Sequence, residues 1–348
     1  MKWNMLLLLM TFSVGVFADS DDLTTISCEP NDITLNNTSY VELQKDALEL
    51  ATELCLHSLH ITDEDIGSVK NELKVFTDKA RIAYIEAFPE ASFPGVKKIV
   101  GQWHDQTNRF DENTDFTSLI NIIDSYEPAN NRLKFQLPPF HEHDLDFPLD
   151  DKLDRECAKI EGASNCRTAG EQFRYALSPA FSSYRNAVLE NNQGKHNDLV
   201  KSWNSFMDDS RYQWPWEVWA TTQYYSNEFN GPSLVAPPKV QIIFLHPTLA
   251  VERIDNLERG SRDSVAIALE WAGLNWWEKG FGFSLTSLYW DREEADSIGH
   301  GFTLHIKSKY SIGFVHRGNG NNGVFFNVDL TEWFTDKKEK YKKYQKYF

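Results

Sequence analysis

Two histidines one residue apart, closely followed by aspartates, form the sharpest candidate metal site in the chain. In an extended segment His141 and His143 point the same way, and imidazole with carboxylate suits zinc or another transition metal. The metal hypothesis names His141, His143 and Asp146 as ligands of a divalent ion, and no other cofactor is expected. The acidic, proline-flanked run over 140–156 also fits a solvated loop in which the histidines are incidental, and we favour that interpretation.

Three titratable residues nearer the C-terminus are candidates for acid–base catalysis: Glu270, His300 and His305. Glu270 interrupts an apolar run, so burial would raise its pKa and suit it to the role of general acid or base. The simpler interpretation, which we favour, places Glu270 on the outward polar side of an amphipathic strand. Whether these three residues converge depends on a strand order that the sequence does not reveal.

Nucleophile and nucleotide motifs are missing from the sequence. There is no Gly-x-Ser-x-Gly element, no Ser-x-x-Lys set, and no Walker or dinucleotide fingerprint. A secreted hydrolase, assisted by a metal or built on Glu270 and the strand histidines, is therefore only an alternative function. The favoured function is non-catalytic binding.

Aromatic residues make up 14% of the chain and supply the candidate binding surface. Exposed rings can stack on sugars or contact a protein partner, whereas buried rings would pack helices against strands. The neighbours Trp276 and Trp277 would face opposite ways in a strand, so one of them is expected to be exposed. The binding candidates are Trp214, Trp216, Trp219, Trp276, Trp277 and His305.

The N-terminus has the pattern of a cleaved signal peptide over residues 1–18. Lys2 precedes an apolar stretch from Met5 to Phe17, small residues at Val16 and Ala18 fit a cleavage site, and the chain then becomes acidic. We therefore expect an exported protein, periplasmic or extracellular. Its four cysteines predict the disulfides Cys28–Cys55 and Cys157–Cys166, although four cysteines permit three pairings.

The net charge of −16 argues against nucleic acid as a partner, because an acidic surface repels phosphate. A protein, glycan or other envelope ligand is the expected partner. The tail over 335–348 interleaves lysines with tyrosines. It predicts either a solvated terminus, which we favour, or a peripheral membrane contact.

Periodicity predicts an α+β fold with an N-terminal α-helical bundle and a C-terminal antiparallel β-meander packed on one face. An extended lead-in over 19–38 precedes a disulfide-bonded helical domain over 39–235. The β domain over 236–334 shows alternation of apolar and polar residues. Within it, 302–314 is one long strand or two strands joined by a tight turn at Ser308–Lys309.

In the meander, the apolar side chains are expected to be covered and the polar face of Thr303, His305 and Lys307 to be exposed. An exported binding or envelope-accessory protein acting through this aromatic-rich domain is the function that these patterns favour. The further alternative is an oligomeric β protein of an outer membrane, since too few strands are visible for a monomeric barrel of the usual eight or more.

Overall fold

The computed structural model describes residues 23–29, 41–59, 192–258, 262–291, 295–318, 320–328 and 336–347, scattered positions between 71 and 82, and the backbone of three short strands. Four helices have defined bounds: α1 (Val41–Leu56), α2 (Gln193–Asp209), α3 (Pro215–Tyr224) and α4 (Lys337–Gln345). None of the described helices combines the length and hydropathy that crossing a membrane requires.

Eleven strands are described, and the last six form the body of the structure. The short ones are β1 (Thr25–Ser27), β2 (Tyr126–Glu127), β3 (Arg132–Phe135), β4 (Leu145–Phe147) and β5 (Ser233–Val235). The long ones are β6 (Gln241–Ile254), β7 (Asp263–Trp276), β8 (Phe281–Tyr289), β9 (Ile298–Ile306), β10 (Tyr310–Arg317) and β11 (Asn321–Val328).

The six long strands close into an antiparallel barrel. Each strand pairs with its neighbour in sequence, and β11 returns to pair with β6. The turn between β9 and β10 places Lys307 and Ser308 at φ of 51° and 55°, the left-handed geometry of a tight hairpin turn. The region 302–314 is therefore two strands, and closure removes the exposed sheet edges that a meander would leave.

Most side chains that point into the barrel are small or polar, because a lumen enclosed by six strands has little width, and one layer of apolar side chains is buried among them. Glycines take several inward positions. A Cβ atom on Gly301 would collide with the backbone carbonyl of Phe314, and one on Gly313 would meet the ring of Phe325. At Gly301 the neighbouring strand therefore approaches more closely than any other residue would allow, and at Gly313 the space for a side chain is taken by the ring.

Two adjacent strands carry irregularities at the same height. The pairing of β7 with β8 shifts register between Glu270 and Ala272, which makes Trp271 the extra residue of a bulge. On β6, Leu245 has a φ of 50°, and Phe244 and Leu245 are both exposed. The bulge changes the parity of β7, so that beyond Trp271 it is Asn275 that points inward.

Helices α2, α3 and α4 pack over the end of the barrel where β6 begins and β7 ends. The ring of Trp203 on α2 packs edge-on against Tyr341 of α4, with centroids 4.8 Å apart. Phe206 bridges to Trp277 with centroids 5.3 Å apart. Lys340 donates to the carbonyl oxygens of Met207 and Ser210 at the end of α2, where the helix dipole favours a cation.

The N-terminal segments attach to this body through a small sheet and a disulfide. Strand β1 pairs with β5, and Cys28, just after β1, is bonded to Cys55 of α1. The predicted Cys28–Cys55 disulfide is thereby confirmed. The predicted Cys157–Cys166 disulfide lies outside the described residues, as does the signal peptide.

The predicted fold class is wrong. A closed barrel replaces the one-sided meander, and the described residues contain few helices, so an N-terminal helical bundle is not supported. The physical reason lies in which face is buried. The polar set that includes Thr303 and His305 fills the lumen and is fully buried, while the apolar set faces outward.

Gly301→Ala tests the tight approach of β9 to β10. We expect a loss of roughly 1–3 kcal/mol in the free energy of unfolding, because the new methyl group meets a backbone atom that cannot rotate away. Urea unfolding followed by tryptophan fluorescence measures the loss.

Gly194→Ala is the matched control, since a Cβ there has open space around it in α2. The control should be stabilising by about 0.5–1 kcal/mol because alanine favours the helix. Equal effects of the two substitutions would contradict the tight approach.

Candidate functional site

A buried ion pair crosses the lumen near the helical end of the barrel. Arg211 follows α2 and reaches inward, where its Nη2 lies 2.7 Å from Glu270 Oε1 and its Nη1 lies 2.8 Å from Glu270 Oε2. Both side chains are almost fully buried. This two-point contact is the geometry in which an arginine binds a carboxylate most strongly.

His305 lies beside this ion pair. Its ring nitrogens are 3.1 Å from Glu270 Oε2, 3.1 Å from Ser284 Oγ and 2.8 Å from Ser311 Oγ. Burial lowers the pKa of His305, and the Arg211 guanidinium lowers it further. The imidazole is therefore held neutral, as its closeness to the guanidinium requires.

Glu270 is ionised in spite of its burial. Removal from water opposes its charge, but the attraction and hydrogen bonds of Arg211 outweigh that effect and hold the pKa of Glu270 well below 4.5. The sequence had indicated a raised pKa for a buried Glu270. That expectation left out Arg211, which lies 59 positions away in the chain.

A second buried pair joins α3 to β6. Glu217 Oε2 lies 2.9 Å from His246 Nδ1, and Glu217 also accepts the backbone N–H groups of Trp214 and Phe244. One carboxylate thus caps the N-terminus of α3 and holds that helix on the strand. This pairing fixes the orientation of the helices over the lumen.

The far end of the lumen is closed by a third pair beyond an apolar layer. Glu252 accepts from Arg317 at 2.8 and 2.9 Å, and Arg317 also donates to the carbonyl of Asp296. Between this pair and the polar layer lie buried apolar side chains: Ala250, Ala266, Ala268, Leu288, Val315 and Phe325. The lumen is a filled core, and this arrangement holds the six strands in one register.

Large apolar side chains cover the outside of the barrel on every strand, and we call this surface the outer band. Its exposed members are Phe244, Leu249, Val251, Val265, Ile267, Trp271, Phe281, Phe283, Leu285, Tyr289, Ile298, Phe302, Ile306, Tyr310, Phe314, Val324 and Phe326. On the six barrel strands, the charged side chains that point outward are Arg253 and Asp263, at strand ends. Apolar patches of this extent mark interaction surfaces.

The two ends of the barrel differ in charge. Exposed lysines at 279, 307 and 309 lie at the helical end, together with Glu278, and we call this end the basic rim. The opposite end carries Arg253 and an excess of exposed acidic residues, and we call it the acidic rim: Asp255, Glu258, Asp263, Asp291 and Asp296.

The predicted catalytic residues fall into two places. Glu270 and His305 meet in the lumen, each about 1% exposed, so neither is open to a substrate in solution. His300 lies on the outer wall, where its Nδ1 is 2.7 Å from Ser287 Oγ. The structure therefore does not bring the three candidates together.

The predicted binding residues are also divided. Trp216 and Trp219 are exposed at 42% and 55%, and Trp214 stacks on Trp216 with centroids 5.3 Å apart. Trp277 is buried and donates to the carbonyl of Pro238, whereas Trp276 is partly exposed and stacks on Phe281.

Little of the predicted metal site lies within the described residues. His141 and His143 lie outside the described residues, and Asp146 is described only as part of the backbone of β4. Among the described residues, no group of three or more His, Cys, Asp or Glu side chains is placed to hold a metal ion.

The C-terminal tail is a docked helix over most of its length. Tyr341 and Tyr344 of α4 are fully buried against α2, so these two rings do not face a membrane. Burial raises the pKa of Tyr344 far above 10 and keeps its hydroxyl neutral.

Comparisons with protein families, curated proteins and solved structures gave no match.

Sequence reasoning missed Arg211 and Glu217, each of which completes a buried pair. Arg211 lies in a loop beside a helix end. Glu217 belongs to an aromatic segment in which only the tryptophans were predicted to be functional. Glu217 had a detectable signal, because a glutamate three residues after a helix start is typical of a capping residue. Arg211 had none, since its partner is distant in sequence.

Arg211→Met tests the ion pair of the lumen. We expect a loss of roughly 3–5 kcal/mol in the free energy of unfolding, because Glu270 is then left buried without its cation. Replacing both partners, Arg211→Met with Glu270→Leu, should recover much of that loss. Chemical unfolding of the wild type, of Arg211→Met and Glu270→Leu singly, and of the double variant measures the coupling.

The control is Arg253→Met, which removes an exposed arginine 3.8 Å from Asp263. A surface pair of this kind contributes at most about 1 kcal/mol. If Arg211→Met lowered the free energy of unfolding no more than this control does, the stability of the barrel would not depend on the Arg211–Glu270 ion pair.

Acid should destabilise the barrel in two steps. The pKa of His305 is lowered from 6.5, so the stability due to its neutral form is complete above about pH 6.5 and declines as pH falls below that value. The lowered pKa of Glu270 adds a second decline, which begins below 4.5. Urea unfolding at pH 7, 6, 5 and 4 should show both.

The variant His305→Asn should show a flatter dependence of the free energy of unfolding on pH between pH 6.5 and 5. At pH 7 the variant should be less stable than the wild type. A wild-type curve that is level or rises as the pH falls from 7 to 5 would contradict the buried neutral histidine.

Proposed function

We propose that this protein is a non-catalytic accessory protein of a cell envelope, and that it docks on lipid membranes through the outer band. The observation that carries the proposal is the outward placement of large apolar side chains on all six strands of the barrel, whose interior holds buried charged and polar pairs on either side of one apolar layer. In water such a surface is unfavourable, whereas hydrocarbon chains accommodate it.

The shape of the outer band favours lipid over a protein partner. Apolar side chains face outward on all six strands, so a partner with one flat face covers only an arc of them. Fluid hydrocarbon chains follow a curved surface, and an apolar outer face with a polar interior is the pattern of proteins whose strands meet lipid. The filled lumen argues for docking and against a pore.

The charge of the two rims favours one orientation. Lys279, Lys307 and Lys309 at the basic rim would meet anionic headgroups, to which each lysine near the surface contributes about 1 kcal/mol. The acidic rim would be repelled, so the barrel would tilt and insert mainly the part of the outer band that lies next to the basic rim. The occupant of the outer band is thus the surface of a membrane that contains anionic lipid.

Export also belongs to this proposal. The N-terminal pattern of residues 1–18 supports it, and the Cys28–Cys55 disulfide fits an oxidising compartment.

Vesicle flotation tests the docking. Full-length protein should float with vesicles of phosphatidylcholine and phosphatidylglycerol, and more weakly as salt screens the basic rim. The variant Phe283→Asp with Phe302→Asp removes two exposed rings whose centroids are 6.1 Å apart on adjacent strands. Its partitioning should fall on the order of a hundredfold or more, since burying one Phe contributes roughly 1.5–3 kcal/mol.

The matched control changes the charge equally on exposed helix positions away from the band, with Lys45→Gln and Lys201→Gln. It should float like the wild type, and circular dichroism should show all three proteins folded. Wild-type protein that stays with the aqueous phase would overturn the proposal, as expected if another part of the chain or a second copy covers the band. If the Phe283/Phe302 variant floated as well as the wild type, the outer band would not be the surface that binds the vesicles.

A further inference from the structure

A row of polar side chains crosses the outer band on four adjacent strands. Ser287 of β8 pairs with His300 of β9, His300 pairs with His316 of β10, and His316 pairs with Asn322 of β11. His300, His316 and Asn322 are exposed. Ser287 is partly exposed, and its hydroxyl accepts a hydrogen bond from the indole N–H of Trp271 on the outer wall. The two histidines of this polar row therefore stand directly opposite each other on neighbouring strands, facing outward.

Hydrogen bonds from both sides orient the two imidazoles. His316 Nδ1 lies 2.7 Å from Asn322 Oδ1, which can only accept, so Nδ1 carries the proton. His300 Nδ1 lies 2.7 Å from Ser287 Oγ, which already accepts from Trp271 Nε1 at 2.7 Å and has a second lone pair for an Nδ1 proton. The Asn322 contact thus leaves the lone pair of His316 on Nε2, and the same tautomer of His300 is compatible with its contact to Ser287, whose hydroxyl can accept or donate.

Neither Nε2 atom has a hydrogen-bond partner among the described residues, and both rings are exposed. Metal-binding histidines show this same arrangement, in which one ring nitrogen is fixed by a hydrogen bond and the other presents its lone pair. Residues directly opposite on antiparallel strands have Cβ atoms about 4.5–5.5 Å apart. Two imidazoles on the same face can therefore bind one ion at the usual nitrogen–metal distance of about 2.0–2.1 Å.

We propose that His300 and His316 bind a divalent transition-metal ion, copper or zinc in preference to magnesium or calcium, through their Nε2 atoms. Imidazole nitrogen selects these metals, and copper is expected to bind more tightly than zinc. With two protein ligands the remaining coordination positions are open to water or to an external donor. The site is distinct from the candidate His141, His143 and Asp146, and it does not depend on lipid docking.

The acidic rim favours delivery of a cation to this end of the barrel. Its carboxylates create a negative potential that concentrates divalent ions near the surface. The bulge that turns Trp271 outward also serves the polar row, because it places the indole N–H on Ser287. A bulge is a common means of redirecting a side chain at a site.

Copper titration of the full-length protein tests the proposal. With Cu²⁺ as the probe, electron paramagnetic resonance should show one bound ion with two nitrogen ligands, and calorimetry with Zn²⁺ should show one weaker site. His300→Gln and His316→Gln should each weaken Cu²⁺ binding at least tenfold. Asn322→Leu should weaken it about 10- to 100-fold, because it removes only the orienting hydrogen bond.

The control is the double variant His141→Gln with His143→Gln, which should bind Cu²⁺ like the wild type. His300 and His316 are exposed, so their variants should unfold at the wild-type temperature. Unchanged binding in His300→Gln and His316→Gln would overturn the proposal, and so would loss of binding in the His141/His143 control alone. Absence of any stoichiometric ion in the wild type would overturn it as well.

Discussion

The lumen of a six-stranded barrel is too narrow to hold large side chains from every strand, and much of the structure follows from that width. Glycine is required where the strands approach closely, as at Gly301, and where a neighbouring ring fills the lumen, as at Gly313 beneath Phe325. The other inward positions take small residues, polar groups that bond to one another, or the side chains of the apolar layer. Arg211 with Glu270 and Arg317 with Glu252 are long side chains, but each pair lies toward an end of the lumen and fills it by a two-point contact.

Paired polar groups occupy both ends of the lumen and leave room for only one apolar layer between them, so most of the large apolar side chains lie on the outside. A buried ion pair is weak evidence for stability, since its desolvation offsets most of its attraction, but it tolerates only one arrangement of its partners. The charges thus specify which residues face inward. The outer band is then a surface that water does not favour, interrupted on one side by the polar row of Ser287, His300, His316 and Asn322.

The sequence predicts the strands of the barrel well and their faces poorly. Alternation in Phe281, Phe283 and Leu285 correctly separates two faces, but alternation is the same whether the apolar set faces a core or a lipid. Closure depends on β11 meeting β6, which no local pattern records. The ionisation of Glu270 and His305 likewise depends on Arg211, whose place in the lumen no local pattern records. The Cys28–Cys55 disulfide was predictable, because four cysteines allow few pairings.

The contacts that complete the barrel join parts of the chain that are far apart, and this has a consequence for how the molecule folds. Asn327 bonds to Thr248 across 79 positions, and Lys340 reaches Met207 across 133. Chains dominated by such separations fold slowly, because loop entropy is lost before the contacts form. Until β11 finds β6, both strands present open edges with apolar side chains, which are the features that lead to pairing between molecules. The rate of barrel closure therefore sets how long a newly made chain is exposed to aggregation.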